Sequence, residues 1–301
     1  MRAVTRRDGT FHFTDTPAPA RNNDDQVLVR VTAISENRGE HGFPWKSGDV
    51  VGWDALGTVV ETSDDGLGPP IGSRVVTWAF SGAWAEYRVT SRRTLAVVPD
   101  SVPDLTAAAL PVVGMTALQA VSMAGAREGS RIAITGANGG VGHLAVQLAA
   151  ASGCHITALV RDRARGEWLR ELPGCEAVEV VETSDLGTPR EFDAVIDSVG
   201  GPLLVRLLDD LAPFGRAVIV GAASEQPATI DTAAIGGKRI DLLGIKLPEE
   251  VDEALAHLLS LCRAGHLEIR VTDGGDWHNL VAATGPTNGR DGKHVFTVPQ
   301  K

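Results

Sequence analysis

The stretch Ile132-Ala-Ile-Thr-Gly-Ala-Asn-Gly-Gly-Val-Gly-His-Leu-Ala-Val-Gln-Leu-Ala149 decides the fold of this chain. It begins with a short apolar run typical of a β-strand and ends with apolar residues at helical spacing. Between them lies a turn with Gly136, Gly139 and Gly142 at three-residue steps. Glycines let a ligand approach the backbone, and the N-terminus of the following helix attracts a phosphate. The pattern predicts a strand–turn–helix unit that binds a pyrophosphate, with an ordinary Gly-rich turn as the alternative.

Strand-like and helix-like runs alternate after this unit. Strands are predicted at His155–Val160, Ala177–Val181, Phe192–Val199, Gly215–Gly221 and Arg239–Ile245, with helices at Arg163–Leu172 and Pro202–Leu211. Such alternation predicts a parallel sheet wound on both faces. Ligands of these sheets bind at the carboxyl ends of the strands. The strand exits with small residues are Thr135-Gly136, Asp197–Gly201 and Val220–Ala223.

The chain before and after this region has a different pattern. Residues 1–100 contain short strand-like runs separated by Gly and Pro turns, which is typical of a β-barrel-like domain. These strands are predicted at Gln26–Ile34, Val50–Glu61, Ile71–Trp78 and Trp84–Thr90. Asp104–Ala124 has helical periodicity, and Pro111 and Gly114 predict that it forms two short helices. A helix at Glu249–Ala264 and strands at Glu268–Val271 and His294–Val298 would return to the β domain.

Composition excludes several classes of function. The net charge of −10 argues against nucleic acid or an anionic membrane as a partner. No apolar run approaches the ~20 residues of a membrane span, and the N-terminus lacks the apolar stretch of a secretory signal. We therefore expect a cytoplasmic protein. The three cysteines are widely spaced and the eight histidines form no metal-binding motif, so we expect no metal.

Seven ordered segments together resemble the medium-chain dehydrogenase/reductase superfamily. They are Val27–Asn37, Gly52-Trp-Asp-Ala-Leu-Gly-Thr-Val59, Gly82-Ala-Trp-Ala-Glu-Tyr87, Gly114-Met-Thr-Ala-Leu118, Gly136–Gly142, Asp197-Ser-Val-Gly200 and Gly292-Lys-His-Val295. Within the superfamily, the chain is most similar to the zinc-free branch typified by quinone oxidoreductases. The resemblance covers essentially the whole chain.

The resemblance implies an α/β protein with two domains. A Rossmann domain with a doubly wound parallel sheet would occupy 106–245. A GroES-like β-barrel substrate domain would occupy 1–105, and a C-terminal segment, 246–301, would return to it. The active site would lie in the cleft between the domains. Homodimers that pair Rossmann sheets are common in the family, so Gly215–Ala222 is the expected edge strand.

The resemblance also implies which residues face the substrate. Zinc-dependent members hold zinc with Cys, His and Cys, but the matching positions here are Asn37, Trp53 and a residue near Val112, so we expect no zinc. Asn37 matches a polar residue beside the nicotinamide, and Arg38 is a candidate donor to a substrate oxygen; the alternatives are a turn asparagine and a solvated surface charge. His41 is a weaker candidate proton donor. Trp45, Trp53, Trp78 and Phe80 are expected to wall an apolar substrate cleft, with a β-domain core as the alternative.

The expected cofactor is NADP(H). In the NAD-preferring pattern an acidic residue ends the second strand, but here Arg161 comes first and three arginines share one turn. Arginine pairs well with a 2′-phosphate through its planar fork. The expected cofactor-binding residues are Thr116, Gly136, Asn138, Gly139, Gly140, Val141, Gly142, Arg161, Arg163, Ser198, Val199, Gly221 and Ala222.

The leading hypothesis is a zinc-independent, NADPH-dependent oxidoreductase that transfers hydride to a conjugated C=C bond or a quinone. Hydride adds to carbon in such acceptors, and the charge spreads into an enolate or hydroquinone that hydrogen-bond donors can stabilise. The alternatives are a zinc-free ketone or alcohol oxidoreductase and a nucleotide-binding protein without turnover. The partner in each case is a small molecule, and the sequence does not identify it.

Overall fold

The computed structural model describes residues 1–187, 189–282 and 292–300. The chain divides into two compact units. The first unit comprises Met1–Met115, Pro248–Ala264 and Ile269–Lys301, and the second comprises Thr116–Leu247 and Gly265–Glu268. The boundary between them falls inside a helix and not at 105/106 as the sequence suggested. The four residues Gly265–Glu268 also belong to the second unit and not to the C-terminal segment.

The helices and strands are as follows, in chain order. Before the Gly-rich turn come β1 Arg2–Arg7, β2 Thr10–Asp15, β3 Gln26–Ser35, α1 Arg38–Gly42, β4 Asp54–Glu61, β5 Arg74–Trp78, β6 Tyr87–Ser91, β7 Leu95–Val97, α2 Asp104–Met123 and β8 Arg131–Thr135. After it come α3 Gly142–Ala151, β9 His155–Val160, β10 Glu179–Glu182, β11 Phe192–Asp197, α4 Gly201–Asp209, β12 Leu211–Ile219, α5 Thr232–Lys238, β13 Asp241–Gly244, α6 Asp252–Arg263, β14 Val271–Asp276, α7 His278–Ala282 and β15 Lys293–Thr297.

The second unit contains a six-stranded parallel sheet with the order β10-β9-β8-β11-β12-β13. From β8 the chain moves through α3 to β9 on one side, and from β11 it moves through α4 to β12 on the other. Because parallel crossovers are right-handed, α3 and α4 cover opposite faces of the sheet. The strand order reverses between β8 and β11, which is where ligands of doubly wound sheets bind. The predicted fold class is confirmed for this unit.

The first unit contains a mainly antiparallel sheet with the order β14-β15-β3-β4-β5-β7, and β6 also pairs with β3. The strand β3 shows the alternation that the sequence predicted, since Val27, Val29 and Val31 are fully buried while Arg30 is exposed. The hairpin β1–β2 forms a separate two-stranded sheet. This architecture is that of a GroES-like domain, which confirms the second part of the predicted fold class.

Helix α2 corrects two predictions. It is one continuous helix and not two, although it contains Pro111. The amide of Val112 donates to Asp54 Oδ1 at 3.2 Å, and Ala107–Leu110 are fully buried, so packing maintains the helix around the proline. By length and composition α2 is also apolar enough to cross a membrane, contrary to the prediction, but 67% of that window is buried inside the protein. We identify it as a core helix.

Other boundaries also differ from the predictions. Arg163–Leu172 forms a short 3-10 helix at Glu167–Glu171 because Gly166 interrupts the run and Pro173 ends it. Glu268–Val271 is not a strand; β14 begins where that range ends. Strand β12 does not stand at the sheet edge, because β13 pairs outside it. The elements without a counterpart among the predictions are β1, β2, α1, β7, α5 and α7.

Candidate functional site

The Gly-rich turn of the second unit lies at the switch point between β8 and β11. Gly136 has φ 58°, a left-handed conformation that favours glycine. A Cβ on Gly142 would lie 2.3 Å from the carbonyl oxygen of Gly136 and 2.7 Å from Cα of Ala137. Only glycine therefore lets α3 begin directly against the turn.

The N-terminus of α3 has an apolar cap. Its N-cap residue is Val141, whose side chain cannot accept a hydrogen bond from the first-turn amides. The amide of His143 in the first turn donates to the carbonyl oxygen of Gly139 at 3.2 Å, so the turn itself takes up part of the capping. The positive end of the helix dipole still favours an anionic ligand at this end. The start of α3 therefore fits a phosphate group.

A buried hydrogen-bond network joins the exits of β8 and β11. The hydroxyl of Thr135 donates to Asp197 Oδ1 at 2.7 Å and accepts from the amide of Ser198 at 2.9 Å. Asp197 also accepts from the amides of Val199 at 3.2 Å and Gly200 at 2.7 Å. Because Thr135 and Asp197 are fully buried, this network fixes the position of the loop after β11 relative to the Gly-rich turn.

The exit of β12 is tied to the same loop by main-chain bonds. The amide of Val220 donates to the carbonyl oxygen of Asp197 at 2.7 Å, and that of Ala223 donates to Ser198 at 3.1 Å. Most of the predicted cofactor residues therefore lie in the loops that follow β8, β11 and β12 at the carboxyl edge of the parallel sheet, here called the rim. They are Gly136, Asn138, Gly139, Gly140, Val141, Gly142, Ser198, Val199, Gly221 and Ala222. Thr135 and Asp197, which stand at two of the predicted strand exits, are not among the predicted cofactor-binding residues.

The predicted phosphate-binding arginines follow β9, which pairs with β8. Arg161 and Arg163 are exposed. Arg163 Nε donates to Glu167 Oε1 at 2.9 Å, whereas Asp162 Oδ1 accepts from the amide of Ala164 at 3.0 Å and so caps its own turn. Thr116, the remaining predicted cofactor residue, is a buried residue of α2.

The first unit contains a cluster of charged and polar side chains inside its β domain, here called the buried polar cluster (Asn37, Glu40, Asp54, Arg88 and Lys293). Asn37 is the N-cap residue of α1, and its main-chain amide donates to Glu40 Oε2 at 2.6 Å as part of a capping box. Its side-chain nitrogen donates to Asp54 Oδ2 at 2.9 Å and to Glu40 Oε1 at 3.4 Å, and its side-chain oxygen accepts from Lys293. Both the nitrogen and the oxygen of the Asn37 side chain are thus hydrogen bonded to buried protein groups.

The cluster contains two acidic and two basic side chains, all of them buried. Lys293 Nζ donates to the carbonyl oxygen of Glu36 at 2.9 Å and lies 3.5 Å from Asp54 Oδ2. Burial is the main cause that raises the pKa of Glu40 to about 8; Lys293 opposes this shift and Asp54 adds to it. Burial lowers the pKa of Arg88 to about 10, and the carboxylates of Asp54 and Glu40 oppose that shift. The signal that could have revealed this cluster is the presence of charged residues in otherwise apolar strands.

The other polar candidates of the first unit lie at α1. Arg38 is the first residue of α1 and is exposed, which is compatible both with a donor to a substrate oxygen and with a solvated surface charge. His41 Nε2 lies 2.6 Å from Glu36 Oε1, so the imidazole is held by a buried carboxylate.

Aromatic side chains form a second cluster in the first unit, here called the aromatic wall (Phe43, Trp45, Trp53, Trp78 and Phe80). Phe43 is stacked on Phe80 at 6.0 Å between centroids, and Trp53 meets both rings edge-on. Trp78 lies 5.0 Å from Phe80, and Trp45 lies 4.6 Å from Phe43. Trp78 is 3% exposed and Phe80 is 50% exposed, so the wall extends from the core to the surface. All four predicted aromatic residues belong to it; Phe43 was missed.

Comparison with known proteins identifies the family. Residues 140–262 match a family model described as zinc-binding dehydrogenase. The quinone oxidoreductase from Coxiella burnetii has a similar structure, with a TM-score of 0.81, 26% identity and 99% coverage of both chains. The chain belongs to the medium-chain dehydrogenase/reductase superfamily. Within the superfamily it falls in the quinone oxidoreductase-like branch, as the sequence motifs predicted.

Two relatives of this dehydrogenase/reductase chain extend the comparison. Prostaglandin reductase-3 of Bos taurus is 27% identical over 286 residues, which cover 87% of this chain and 75% of that protein. The 2-methylene-furan-3-one reductase of Solanum lycopersicum is 28% identical over 262 residues, which cover 83% of this chain and 62% of that protein. The chain also matches polyketide synthase subunits, of which it spans 14% or less. These likenesses support an oxidoreductase.

The donor set of this superfamily member does not fit zinc. The positions that the resemblance equates with zinc ligands hold an amide at Asn37, an indole at Trp53 and an aliphatic side chain at Val112. The main-chain amides of Trp53 and Val112 donate to Glu40 and Asp54, so the three positions converge on the buried polar cluster. Their side chains are not zinc ligands. Among the described residues, no group of three His, Cys, Asp or Glu side chains could hold a metal ion.

Proposed function

We propose that this protein is a zinc-independent, NADPH-dependent oxidoreductase that transfers hydride to a conjugated C=C bond or a quinone. The observation that carries the proposal is the rim formed by the Gly-rich turn, the Thr135–Asp197 network and the start of α3 at the switch point of the parallel sheet. Relatives whose names contain quinone oxidoreductase and furanone reductase support this acceptor class.

The second unit would bind the cofactor. The amides at the start of α3 would hold the pyrophosphate, and the loops after β11 and β12 would hold the rest of the nucleotide. When bound, NADPH supplies the hydride. Nothing but glycine fits at position 142, which is expected where a helix must begin within contact distance of the turn that cradles a phosphate.

The preference for NADP(H) would depend on Arg161. Arg161 follows the second strand of the unit, where NAD-preferring proteins carry an acidic residue. Asp162, the nearest acid, caps its own turn. Arg163 is engaged by Glu167 and would assist as the second cation. We propose that the Arg161 guanidinium pairs with the 2′-phosphate.

The first unit would bind the acceptor. An enone or quinone needs hydrogen-bond donors for the developing oxyanion, and Arg38 is an exposed donor at the start of α1. Asn37 would position Arg38, because its capping contacts fix the first turn of α1. The aromatic wall would contact the apolar body of the acceptor.

We further propose that the protein is a cytoplasmic homodimer. Strand β13 stands at the end of the sheet formed by the described strands of the second unit, and Leu242 on β13 is 43% exposed. An exposed sheet edge with an apolar side chain favours pairing with a second copy. The edge proposed here is β13 and not Gly215–Ala222.

The function is tested by NADPH oxidation against three acceptor classes. We expect turnover with 2-methyl-1,4-naphthoquinone and 2-cyclohexenone, and little with cyclohexanone. Turnover with cyclohexanone alone would instead support the ketone reductase. Tight NADPH binding by calorimetry with no turnover of any acceptor would support a nucleotide-binding protein and contradict the proposal.

A further inference from the structure

Arg88 is a charged residue in the interior of the β domain. It belongs to β6, whose side chains alternate between half-buried and buried, and it points to the buried side. Only 2% of Arg88 is exposed. Both Nη nitrogens of Arg88 have hydrogen-bond acceptors, whereas its Nε has none among the described residues. A buried arginine is tolerated when most of its donors are paired and its charge is opposed by a nearby carboxylate. Asp54 supplies the balancing charge, and Glu40 adds to it when it is ionised.

The donors of Arg88 hold the backbone on both sides of Phe80. Nη2 donates to the carbonyl oxygen of Ala79 at 3.2 Å and to that of Ser81 at 3.0 Å. One guanidinium nitrogen therefore bridges the two peptides that flank the half-exposed ring. Because both carbonyl groups point inward to Arg88, the Phe80 side chain is directed to the surface.

The other nitrogen of the same guanidinium holds Trp53. Nη1 donates to the carbonyl oxygen of Trp53 at 2.9 Å and to Thr77 Oγ1 at 2.8 Å. The amide of Ala79 also donates to the Trp53 carbonyl at 3.2 Å, so this oxygen links the two segments. The planar fork of Arg88 thus fixes the spacing of Trp53 and Phe80, whose centroids lie 6.2 Å apart.

The opposite side of Trp53 is closed by Gly39. A Cβ on Gly39 would lie 2.5 Å from Cη2 of the Trp53 indole, so the ring packs directly on the backbone of α1. The main chain of Trp53 is therefore held by Arg88, and its indole ring packs against α1. Phe80 and Phe43 are nearly parallel, with 12° between their planes, and both stand edge-on to Trp53. This rigid, partly exposed arrangement suits a flat aromatic ring better than a flexible chain.

We propose that Arg88 is a specificity-determining positioning residue that holds Trp53 and Phe80 as a wall for flat, two-ring aromatic acceptors. The inference rests on the proposed function, because it assigns a substrate class to the same acceptor site. Arg88 acts through the backbone of the wall and does not touch the acceptor. Lysine cannot replace it fully. Its single ammonium group cannot reach the acceptors of both Nη1 (on Trp53 and Thr77) and Nη2 (on Ala79 and Ser81) at the same time.

The test compares the variants Arg88→Met, Arg88→Lys and Phe80→Ala with the wild type. Binding of 1-naphthol, a flat probe that nicotinamide does not reduce, is titrated by calorimetry without cofactor. We expect the Kd to rise about tenfold in Arg88→Met and Phe80→Ala, as loss of stacking and burial requires, and by an intermediate factor in Arg88→Lys. Phe80→Ala removes an exposed ring, so it keeps the test valid if Arg88→Met does not fold.

Kinetic measurements separate positioning from general destabilisation. In Arg88→Lys, the KM for 2-methyl-1,4-naphthoquinone should rise while kcat and the KM for 3-buten-2-one stay within about twofold of wild type. The control is Val59→Ala, which opens a cavity in a separate core cluster of the same unit. It should lower the Tm without changing the Kd for 1-naphthol.

The inference is overturned if wild type does not bind 1-naphthol, if Phe80→Ala binds it as wild type does, or if both folded Arg88 variants do. It is also overturned if Val59→Ala weakens binding as much as Arg88→Lys. Absence of turnover with every acceptor would contradict the proposed function alone, because the naphthol titration needs no turnover.

Discussion

Thr135 and Asp197, at the ends of two neighbouring parallel strands, share a fully buried hydrogen bond of 2.7 Å. Thr135 also accepts from the amide of Ser198, so one hydroxyl connects the Gly-rich turn to the opposite loop. The turn after β8 and the loop after β11 are therefore fixed relative to each other in the second unit. Both strand exits are predicted from the sequence, but the hydrogen bond between Thr135 and Asp197 is not.

Replacing Thr135 by valine tests this bond. The change keeps the shape of the side chain, but it leaves the Ser198 amide without its acceptor and removes one of the three donors to the Asp197 carboxylate. We expect a loss of about 1–3 kcal/mol in the free energy of unfolding, measured with urea, and a higher Kd for NADPH. The control is Thr157→Val on β9, whose hydroxyl contacts the carboxylate of Glu179 at 3.3 Å. If both variants bind NADPH equally well, the network does not shape the site.

Gly142→Ala tests the close approach of α3 to the turn. The new methyl group would collide with the Gly136 carbonyl, so the helix must shift and the turn with it. We expect a destabilisation of about 1–3 kcal/mol and a weaker affinity for NADPH in calorimetry. Gly236→Ala in α5 is the matched control, because a Cβ there meets no atom within 4 Å of the described residues. That variant should be neutral or slightly stabilising, and equal losses in the two variants would refute the argument.

Arg161→Ala tests the cofactor preference. Removal of the guanidinium should raise the KM for NADPH by about tenfold or more, since a charge-assisted bond to phosphate is lost, and should leave the KM for NADH nearly unchanged. Arg127→Ala, which removes another exposed arginine of the same unit, should alter neither value. Equal effects of Arg161→Ala on the two cofactors would remove the basis for assigning NADP(H).

Glu40 predicts a pH dependence of stability. Its pKa is raised from 4.5 to about 8, so the folded protein holds a proton that the unfolded chain releases. This contribution to stability is complete below pH 4.5 and is lost as the pH rises through about 8. We expect the free energy of unfolding to fall by up to about 1.4 kcal/mol per pH unit within this window.

Glu40→Gln should remove that slope, because glutamine cannot titrate, whereas the exposed control Glu61→Gln should keep it. Urea unfolding between pH 5 and pH 8 measures the difference. The charges that face Glu40 include Lys293, Asp54 and Arg88, so variants of these residues should change the position of the window. Parallel pH profiles in wild type and Glu40→Gln would show that Glu40 is ionised throughout.

The sequence alone determined the class of fold. The strand–turn–helix pattern at Ile132–Ala149 and the alternation after it were sufficient to predict a parallel sheet, because each strand and helix there is a local, strongly patterned segment. The sequence predicts the ends of the helices and strands less accurately than their order. Helix α2, for example, is continuous because burial of its apolar residues and the Val112–Asp54 hydrogen bond outweigh the effect of Pro111. Those contacts join residues far apart in the chain, and no local pattern encodes them.

What only the tertiary structure decided is which side chains meet. The sequence placed glycines, arginines and aromatic residues at strand ends and loops, and most of the predicted cofactor residues do lie along one rim. It did not foresee that Lys293, near the C-terminus, would reach Asn37 and Asp54, or that Arg88 would hold the peptides beside Phe80. From the sequence alone, a charged residue in a strand is expected to be exposed to solvent, and only the tertiary structure shows that it is buried. Burial then makes each such charge depend on partners from distant strands, and that dependence exists only in three dimensions.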